Sequence, residues 1–117
     1  MRNVTVAAIQ MSIPETPEKS VEKAEKLVRK AAAEGANVIL LPELFENWYF
    51  CQERRYDSYK LALPLEENPA VRRFQTVAKE LSVVLPISFY EQDGNVLYNS
   101  VAMIDADGSV MGVYRKT

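Results

Sequence analysis

Residues 38–45 read Val-Ile-Leu-Leu-Pro-Glu-Leu-Phe, and this stretch decides how the chain is interpreted. Four apolar residues in a row are typical of a strand in an α/β sheet that is covered on both faces. Pro42 ends the run and Glu43 follows it. Because ligands of open α/β sheets bind beyond the carboxyl ends of the strands, Glu43 occupies a position where a functional group is expected. From the residues alone, Glu43 is either such a group or a strand-end carboxylate that caps a loop or is solvated.

Length and composition indicate one globular domain. The 117 residues are enough for a single core, and 48% of them are hydrophobic. Fourteen basic residues balance sixteen acidic ones without forming a basic patch, which argues against a nucleic-acid partner. Histidine is absent from the sequence, so acid–base chemistry falls to Glu, Asp, Lys, Tyr or Cys. We expect no metal site and no cofactor.

Cysteine usage and the N-terminal sequence bear on the cellular compartment. A single cysteine, Cys51, excludes an internal disulfide and fits a reducing environment. The N-terminus runs into a strand pattern without a signal-peptide core, and no apolar run approaches membrane-spanning length. We therefore expect a cytoplasmic protein that does not associate with a membrane.

Hydrophobic periodicity predicts a mixed α/β fold with the element order β-α-β-α-β-β-β. The first half has parallel β-α-β character, and the second half is typical of an antiparallel meander. Helices are predicted between Pro17 and Gly35 and from Pro69 onward, each with an apolar stripe at helical spacing. The intervening segment 43–68 is predicted to be irregular, with a candidate short helix at 52–60. Strands are predicted at 4–11, 37–41, 83–90, 96–104 and 110–115.

The last residues of the chain continue the rhythm of a strand up to residue 117. A sheet that ends in this way has an open edge, which folded proteins usually cover or protect. We therefore expect either a larger polypeptide or a partner chain that covers this edge.

Three segments resemble the nitrilase superfamily of carbon–nitrogen hydrolases, namely 6–11 (Val-Ala-Ala-Ile-Gln-Met), 40–45 (Leu-Leu-Pro-Glu-Leu-Phe) and 112–117 (Gly-Val-Tyr-Arg-Lys-Thr). The pair Asn99-Ser100 is also similar to the family. Within the superfamily, residues 45–52 resemble the N-carbamoylputrescine amidases. The resemblance extends over essentially the whole chain and implies an α-β-β-α sandwich whose subunits pair into homo-oligomers.

The resemblance also implies a Glu-Lys-Cys catalytic set. Glu43 matches the general base, and Lys116 matches the lysine that stabilises the oxyanion. The nucleophilic cysteine of such enzymes lies downstream of that lysine and is therefore not in this chain, which is expected to be inactive alone. Residues 1–117 are expected to be the N-terminal portion of one hydrolase domain, truncated after the lysine motif. Without the resemblance, Lys116 is simply a surface lysine; Arg115 is expected on the opposite side of the strand, as a structural ion-pair former.

The aromatic stretch after Glu43 supplies further candidates. Trp48, Tyr49 and Phe50 are expected to be partly core and partly the wall of a substrate pocket. Cys51 is interpreted as a packed or loop thiol and not as the nucleophile, because no sequence feature places a base beside it.

The expected reaction is hydrolysis of the ureido group of N-carbamoylputrescine to putrescine, ammonia and carbon dioxide, a step of polyamine biosynthesis. Glu46, Glu53 and Asp57 are candidates to pair with the cationic end of such a substrate, or are solvated loop carboxylates. Two alternatives stay open: a nitrilase-type amidase with another ureido or amide substrate, and a non-catalytic α/β module that binds a partner through its open edge.

Overall fold

A computed structural model describes residues 2–14, 16–46 and 61–117. Within these residues the helices and strands follow the predicted order. They are β1 (Val6–Ala8), α1 (Pro17–Ala33), β2 (Val38–Leu40), α2 (Pro69–Leu81), β3 (Leu85–Asp93), β4 (Val96–Ile104) and β5 (Val110–Arg115). A turn of 3₁₀ helix, Leu65–Glu67, precedes α2.

Both helices begin at a capping side chain that is followed by proline. The Thr16 hydroxyl accepts from the Lys19 N–H at 3.3 Å, and Asn68 Oδ1 accepts from the Val71 N–H at 3.0 Å. Proline suits the next position because the first helical residues have no intrahelical partner for an N–H group. Gly35 follows α1 with φ +99°, a left-handed conformation that favours glycine at a helix end.

The strands form a parallel pair and an antiparallel meander that are joined at one point. β1 pairs with β2 in parallel, and β3, β4 and β5 pair in sequence order. A parallel bridge links Val38 to Val84, where the Ile39 N–H donates to the Val84 carbonyl at 3.0 Å. β1 is shorter than the predicted 4–11, and β3 runs on to Asp93, because pairing with a strand of nine residues extends the hairpin to its turn.

The core lies between the two helices and one face of the sheet. The Phe45 and Phe74 rings meet edge to face, with centroids 5.8 Å apart. The predicted apolar stripes of both helices are confirmed, since the members buried in this core are Ala24, Val28, Val71, Phe74, Val77 and Ala78.

The expectation that the strand at 38–41 is covered on both faces is wrong for the described residues. Ile39 is fully buried, whereas its neighbour Leu40 is 49% exposed and Val6 on β1 is 73% exposed. Successive side chains of a strand point to opposite faces, and the described helices cover only the Ile39 side.

Candidate active site

Glu43 lies in a turn, residues 43–46, that is separated from the end of β2 by two residues. Two buried serines hold this turn. The Leu44 N–H donates to Ser88 Oγ on β3 at 2.8 Å, and the Ser20 hydroxyl on α1 donates to the Phe45 carbonyl. The carboxylate thus projects from a turn that is attached to both the sheet and a helix.

Lys116 follows β5 and continues its pairing with β4 by one residue. Its backbone N–H donates to the Asn99 carbonyl at 2.9 Å. Its Nζ lies 3.2 Å from Glu43 Oε1. The structure therefore brings together the two residues that the sequence proposed as general base and oxyanion-stabilising lysine, although 73 positions separate them.

Asn99 is a third member of this cluster, and the sequence did not predict its role. Its side-chain Nδ2 donates to Glu43 Oε1, the same oxygen that binds Lys116. The Asn99-Ser100 pair resembled the family, yet no pattern connected Asn99 with Glu43. Only the register of the β3–β5 meander places Asn99 beside Lys116 and opposite Tyr90, on the face towards which Glu43 projects.

The cluster favours the ionised form of Glu43. The hydrogen bond from Asn99 is the largest influence and lowers the pKa of Glu43 below its usual value of 4.5. Partial burial raises it by less, and Lys116 lowers it further through its hydrogen bond and its charge. Residue types alone do not give the direction of this shift, because a nearby lysine and burial act on the pKa in opposite directions. The side chains of Glu43 and Lys116 are 44% and 58% exposed, so the pair is reachable from solvent.

Arg115 faces the other way, as predicted, and forms an ion pair. Its Nε and Nη2 donate to the two oxygens of Glu91 at 2.9 and 3.1 Å, and Nη2 also donates to Asp93 at 2.7 Å. The guanidinium lies 4.2 Å from the centroid of the Tyr98 ring. Arg115 lowers the pKa of the buried Glu91, to whose Oε1 the Ser100 hydroxyl also donates. This cluster fixes the end of β5 and thereby the position of Lys116.

Glu46 lies on the helical side of the molecule. It accepts a hydrogen bond from Asn68 Nδ2 at 3.1 Å, and it lines a cavity of about 280 Å³ between the two helices. Burial raises the pKa of Glu46, and the hydrogen bond from Asn68 opposes this shift. Glu43 and Lys116 do not line this cavity. Contact between Glu46 and a substrate stays a prediction.

The other pocket candidates, Trp48, Tyr49 and Phe50, lie outside the described residues, as do Cys51, the carboxylates Glu53 and Asp57, and the candidate short helix at 52–60. In the ranges 2–14, 16–46 and 61–117, no three Cys, Asp or Glu side chains gather to hold a metal ion. No helix in this described part of the chain has the length and apolar character needed to cross a bilayer.

An ionised carboxylate beside an ammonium and an amide is suited to acyl chemistry. The carboxylate can accept a proton from a nucleophile, and the ammonium can stabilise a negative oxygen. Residues 5–117 match the family model described as carbon-nitrogen hydrolase. The chain belongs to the carbon–nitrogen hydrolase family. The fold of the chain is the nitrilase-like α/β fold expected from its sequence.

The chain is similar to N-carbamoylputrescine amidase of Oryza sativa subsp. japonica, with 50% identity over 114 residues, which are 97% of this chain and 38% of that protein. Citrullinase of Francisella tularensis subsp. tularensis is 45% identical over 116 residues, 99% of this chain and 41% of its own length. The crystal structure of a carbon-nitrogen hydrolase from Helicobacter pylori G27 superposes with a TM-score of 0.88 at 26% identity, covering 97% of this chain and 39% of that one. The chain thus spans about two fifths of the length of these relatives.

Proposed function

We propose that this chain supplies the general base and the oxyanion-stabilising lysine of an amidase that hydrolyses the ureido group of N-carbamoylputrescine. The observation that carries the proposal is the 3.2 Å contact between Lys116 Nζ and Glu43 Oε1, beyond the end of β2. The 50% identity to an N-carbamoylputrescine amidase supports the choice of substrate. Because the chain spans about two fifths of that relative, the remainder of the domain, with a nucleophilic cysteine, is proposed to come from further sequence.

The first half of the proposed reaction releases ammonia. A cysteine sulfur outside this chain attacks the ureido carbonyl carbon, and Glu43 accepts the proton of the thiol. Glu43 then delivers that proton to the terminal nitrogen as its bond to carbon breaks, and ammonia leaves. With a pKa below its usual value, the Glu43 carboxyl is ionised at neutral pH and can accept the proton.

Lys116 acts on the tetrahedral intermediate in this proposal. The carbonyl oxygen gains a negative charge as the sulfur attacks, and an ammonium fixed beside the reacting carbon stabilises it. Loss of one such donor typically costs roughly 3 kcal/mol of transition-state stabilisation. The ion pair of Arg115 with Glu91 keeps the end of β5 in place, so Lys116 needs little reorganisation during the reaction.

The second half regenerates the thiol. Water attacks the carbon of the carbamoyl-enzyme, Glu43 accepts a proton from that water, and the proton returns to the departing sulfur. The released carbamic acid decomposes to carbon dioxide and putrescine, which completes one hydrolysis with one water consumed. This step belongs to polyamine biosynthesis.

Further parts of the proposal concern the pocket and the assembly. Glu46, Trp48, Tyr49 and Phe50 stay candidates for the substrate pocket. A cytoplasmic homo-oligomer that acts on a small molecule, without nucleic acid or membrane, stays the prediction for the full-length gene product.

The test is to express the full-length gene product and to measure ammonia release from N-carbamoylputrescine and from L-citrulline. Both substrates carry a ureido group, but citrulline carries an amino acid head where N-carbamoylputrescine carries a single ammonium. We expect a higher kcat/KM for N-carbamoylputrescine, and no ammonia from the 117-residue chain alone. Turnover by the isolated chain that disappears in Cys51→Ser would contradict the interpretation of Cys51 as a non-catalytic thiol.

A second candidate is a ureido hydrolase of the citrullinase type, which the 45% identity to that enzyme favours. Preference for L-citrulline would select it, and both candidates use the same base and lysine. Absence of hydrolysis with any ureido or amide substrate would leave the partner-binding α/β module as the better explanation.

A further inference from the structure

The turn that carries Glu43 has an unusual backbone. Leu44, the next residue, has φ +50°, in the left-handed region that residues with a side chain avoid. Its side chain is almost completely buried, so the surroundings prevent the backbone from relaxing to a more common conformation. Such a conformation persists only where neighbouring groups determine it, and it is commonly found at functional sites.

Ser88 binds the backbone of this turn at Leu44. Ser88 lies in the middle of β3 and is buried, and its Oγ accepts the Leu44 N–H at 2.8 Å. An N–H group buried in this turn would otherwise have no water to bind, so the hydroxyl compensates for the loss of solvent. This N–H is part of the peptide group that follows the Glu43 Cα. The hydrogen bond therefore orients that peptide group and, with it, the direction of the Glu43 side chain.

A second serine holds the turn two peptide groups further along the chain. The fully buried Ser20 of α1 donates its hydroxyl to the Phe45 carbonyl, and the Phe45 ring packs against Phe74. The turn is thus held at two peptide groups, 43–44 by the sheet and 45–46 by the helical layer. Ser88 acts on the peptide nearer to Glu43.

The register of the meander connects Ser88 with the rest of the cluster. Ser88 pairs with Val101 on β4, two residues from Asn99 and on the same face. One face of the β3–β4 pair therefore holds both the backbone next to Glu43, through Ser88, and its carboxylate, through Asn99.

We infer that Ser88 is a positioning residue for Glu43, which acts by holding the Leu44 N–H so that the Glu43 carboxylate meets Asn99 and Lys116. This inference rests on the proposed function for its catalytic consequence, but its structural content is independent of the substrate. Its alternative is that Ser88 only satisfies a buried N–H and contributes to stability.

The experiment compares Ser88→Ala with Ser88→Thr in the full-length gene product. A displacement of a catalytic group by about 1 Å can cost on the order of a hundredfold in rate, so we expect Ser88→Ala to lower kcat by about 10- to 100-fold with little change in KM. The acidic limb of the kcat profile should move to higher pH, because Glu43 loses part of its contact with Asn99 and Lys116. Ser88→Thr retains an Oγ acceptor and should restore most of the rate.

Ile104→Val is the matched control for stability. Ile104 is fully buried at the far end of the same strand pair, opposite Leu85, and its apolar side chain offers no hydrogen bond to the turn. The Ile104→Val variant should have a lower melting temperature but an unchanged kcat and an unchanged acidic limb of the kcat profile. If Ser88→Ala behaved like Ile104→Val, Ser88 would be only a stability residue and the inference would be wrong.

A readout without substrate separates this inference from the proposed function. With ¹³C-labelled glutamate and ¹⁵N-labelled leucine, NMR can follow the pKa of the Glu43 carboxyl and the exchange of the Leu44 amide hydrogen. We expect Ser88→Ala to raise that pKa and to accelerate that exchange. An inactive wild-type protein in which both changes occur would refute the proposed hydrolase while supporting the positioning role; unchanged values would refute the positioning role whatever the activity.

Discussion

Glu43 and Glu91 both bind a cation near the end of the chain and a polar side chain of β4, but they are bound in different ways. Glu91 is buried, and both of its oxygens accept hydrogen bonds from Arg115. Glu43 is half-exposed, and Asn99 and Lys116 both donate hydrogen bonds to its Oε1. A buried carboxylate whose two oxygens are both bound by a guanidinium is suited to structure, whereas a half-exposed carboxylate that a reactant can reach is suited to proton transfer.

The two clusters are built from consecutive residues of the same strands. Asn99 and Ser100 are neighbours on β4, and Arg115 and Lys116 are neighbours at the end of β5. Because side chains alternate between the two faces of a sheet, one member of each pair reaches Glu43 and the other reaches Glu91. A shift of register by one residue would exchange the two sets, so the structural cluster also protects the register of the candidate active site.

The largest expected effect is that of Glu43→Gln in the full-length gene product. General acid–base catalysis contributes roughly 10²- to 10⁴-fold, so we expect kcat to fall by about 10³-fold, as measured by ammonia release. The free energy of unfolding should change by only about 0.5 kcal/mol, because the side chain is half-exposed. Glu66→Gln, at an exposed glutamate of the 3₁₀ turn, is the control and should leave the rate unchanged. Near-normal turnover by Glu43→Gln would show that Glu43 is not the general base, and the contrast with Glu91 would then not concern catalysis.

Lys116→Met should have the next largest effect. Removal of a charged oxyanion donor lowers kcat by roughly 10²- to 10³-fold, and methionine retains most of the length of the side chain. Lys26→Met changes an exposed lysine on α1 and controls for the loss of one positive charge. A drop of the same size in both variants would point to overall charge and against a local role of Lys116.

Glu91→Gln should affect stability more than chemistry. Loss of one partner leaves Arg115 without its paired carboxylate, but the Arg115 side chain is 39% exposed and can be rehydrated. We therefore expect a loss of about 1–3 kcal/mol in chemical denaturation, below the cost for a fully buried pair. Asp93→Asn, at the exposed second partner of Arg115, should cost about 0–1 kcal/mol. Equal costs for the two variants would show that burial of Glu91 does not distinguish the clusters.

The same pair predicts a pH dependence of stability. Arg115 lowers the pKa of Glu91 below its usual 4.5, so the folded state favours the ionised form. The resulting stability is fully present above pH 4.5 and is lost as the pH falls through the lower pKa of the folded state. The free energy of unfolding of the wild type should therefore fall more steeply below pH 4.5 than that of Glu91→Gln. Parallel curves would show that Glu91 does not carry this dependence.

Asn99→Ala should have a small effect on kcat at pH 7 and a specific effect on the pH dependence of kcat. Its hydrogen bond is the main cause of the lowered pKa of Glu43, so its loss should raise that pKa towards 4.5 and move the acidic limb of kcat to higher pH. At pH 7 Glu43 remains ionised, and we expect kcat to fall by no more than about tenfold. Ser100→Ala, at the neighbour that faces Glu91, should leave the acidic limb in place. A limb that moves in both variants would mean that the two faces of β4 are not independent.

Local sequence was sufficient for the helices and for the element order. The stripe that contains Phe74 and Val77, and the proline that begins each helix, act within a few residues, so their patterns predict structure directly. Strand limits and burial were predicted less well. The length of β1 depends on its pairing with β2, and the burial of Leu40 depends on what covers the second face of the sheet.

The amino-acid sequence by itself determined the carboxylate beyond the end of β2, the lysine near the end of the chain and the family to which the chain belongs. The tertiary structure decided which groups bind the carboxylate, because Asn99 and Ser88 reach Glu43 and Leu44 only through strand pairing. It also decided the direction in which the pKa of Glu43 moves, since hydrogen bonds and burial act in opposite directions and their balance depends on distances. Residue types and spacing carry the chemistry of single groups, whereas contacts across 44 or 56 positions exist only after the sheet has formed.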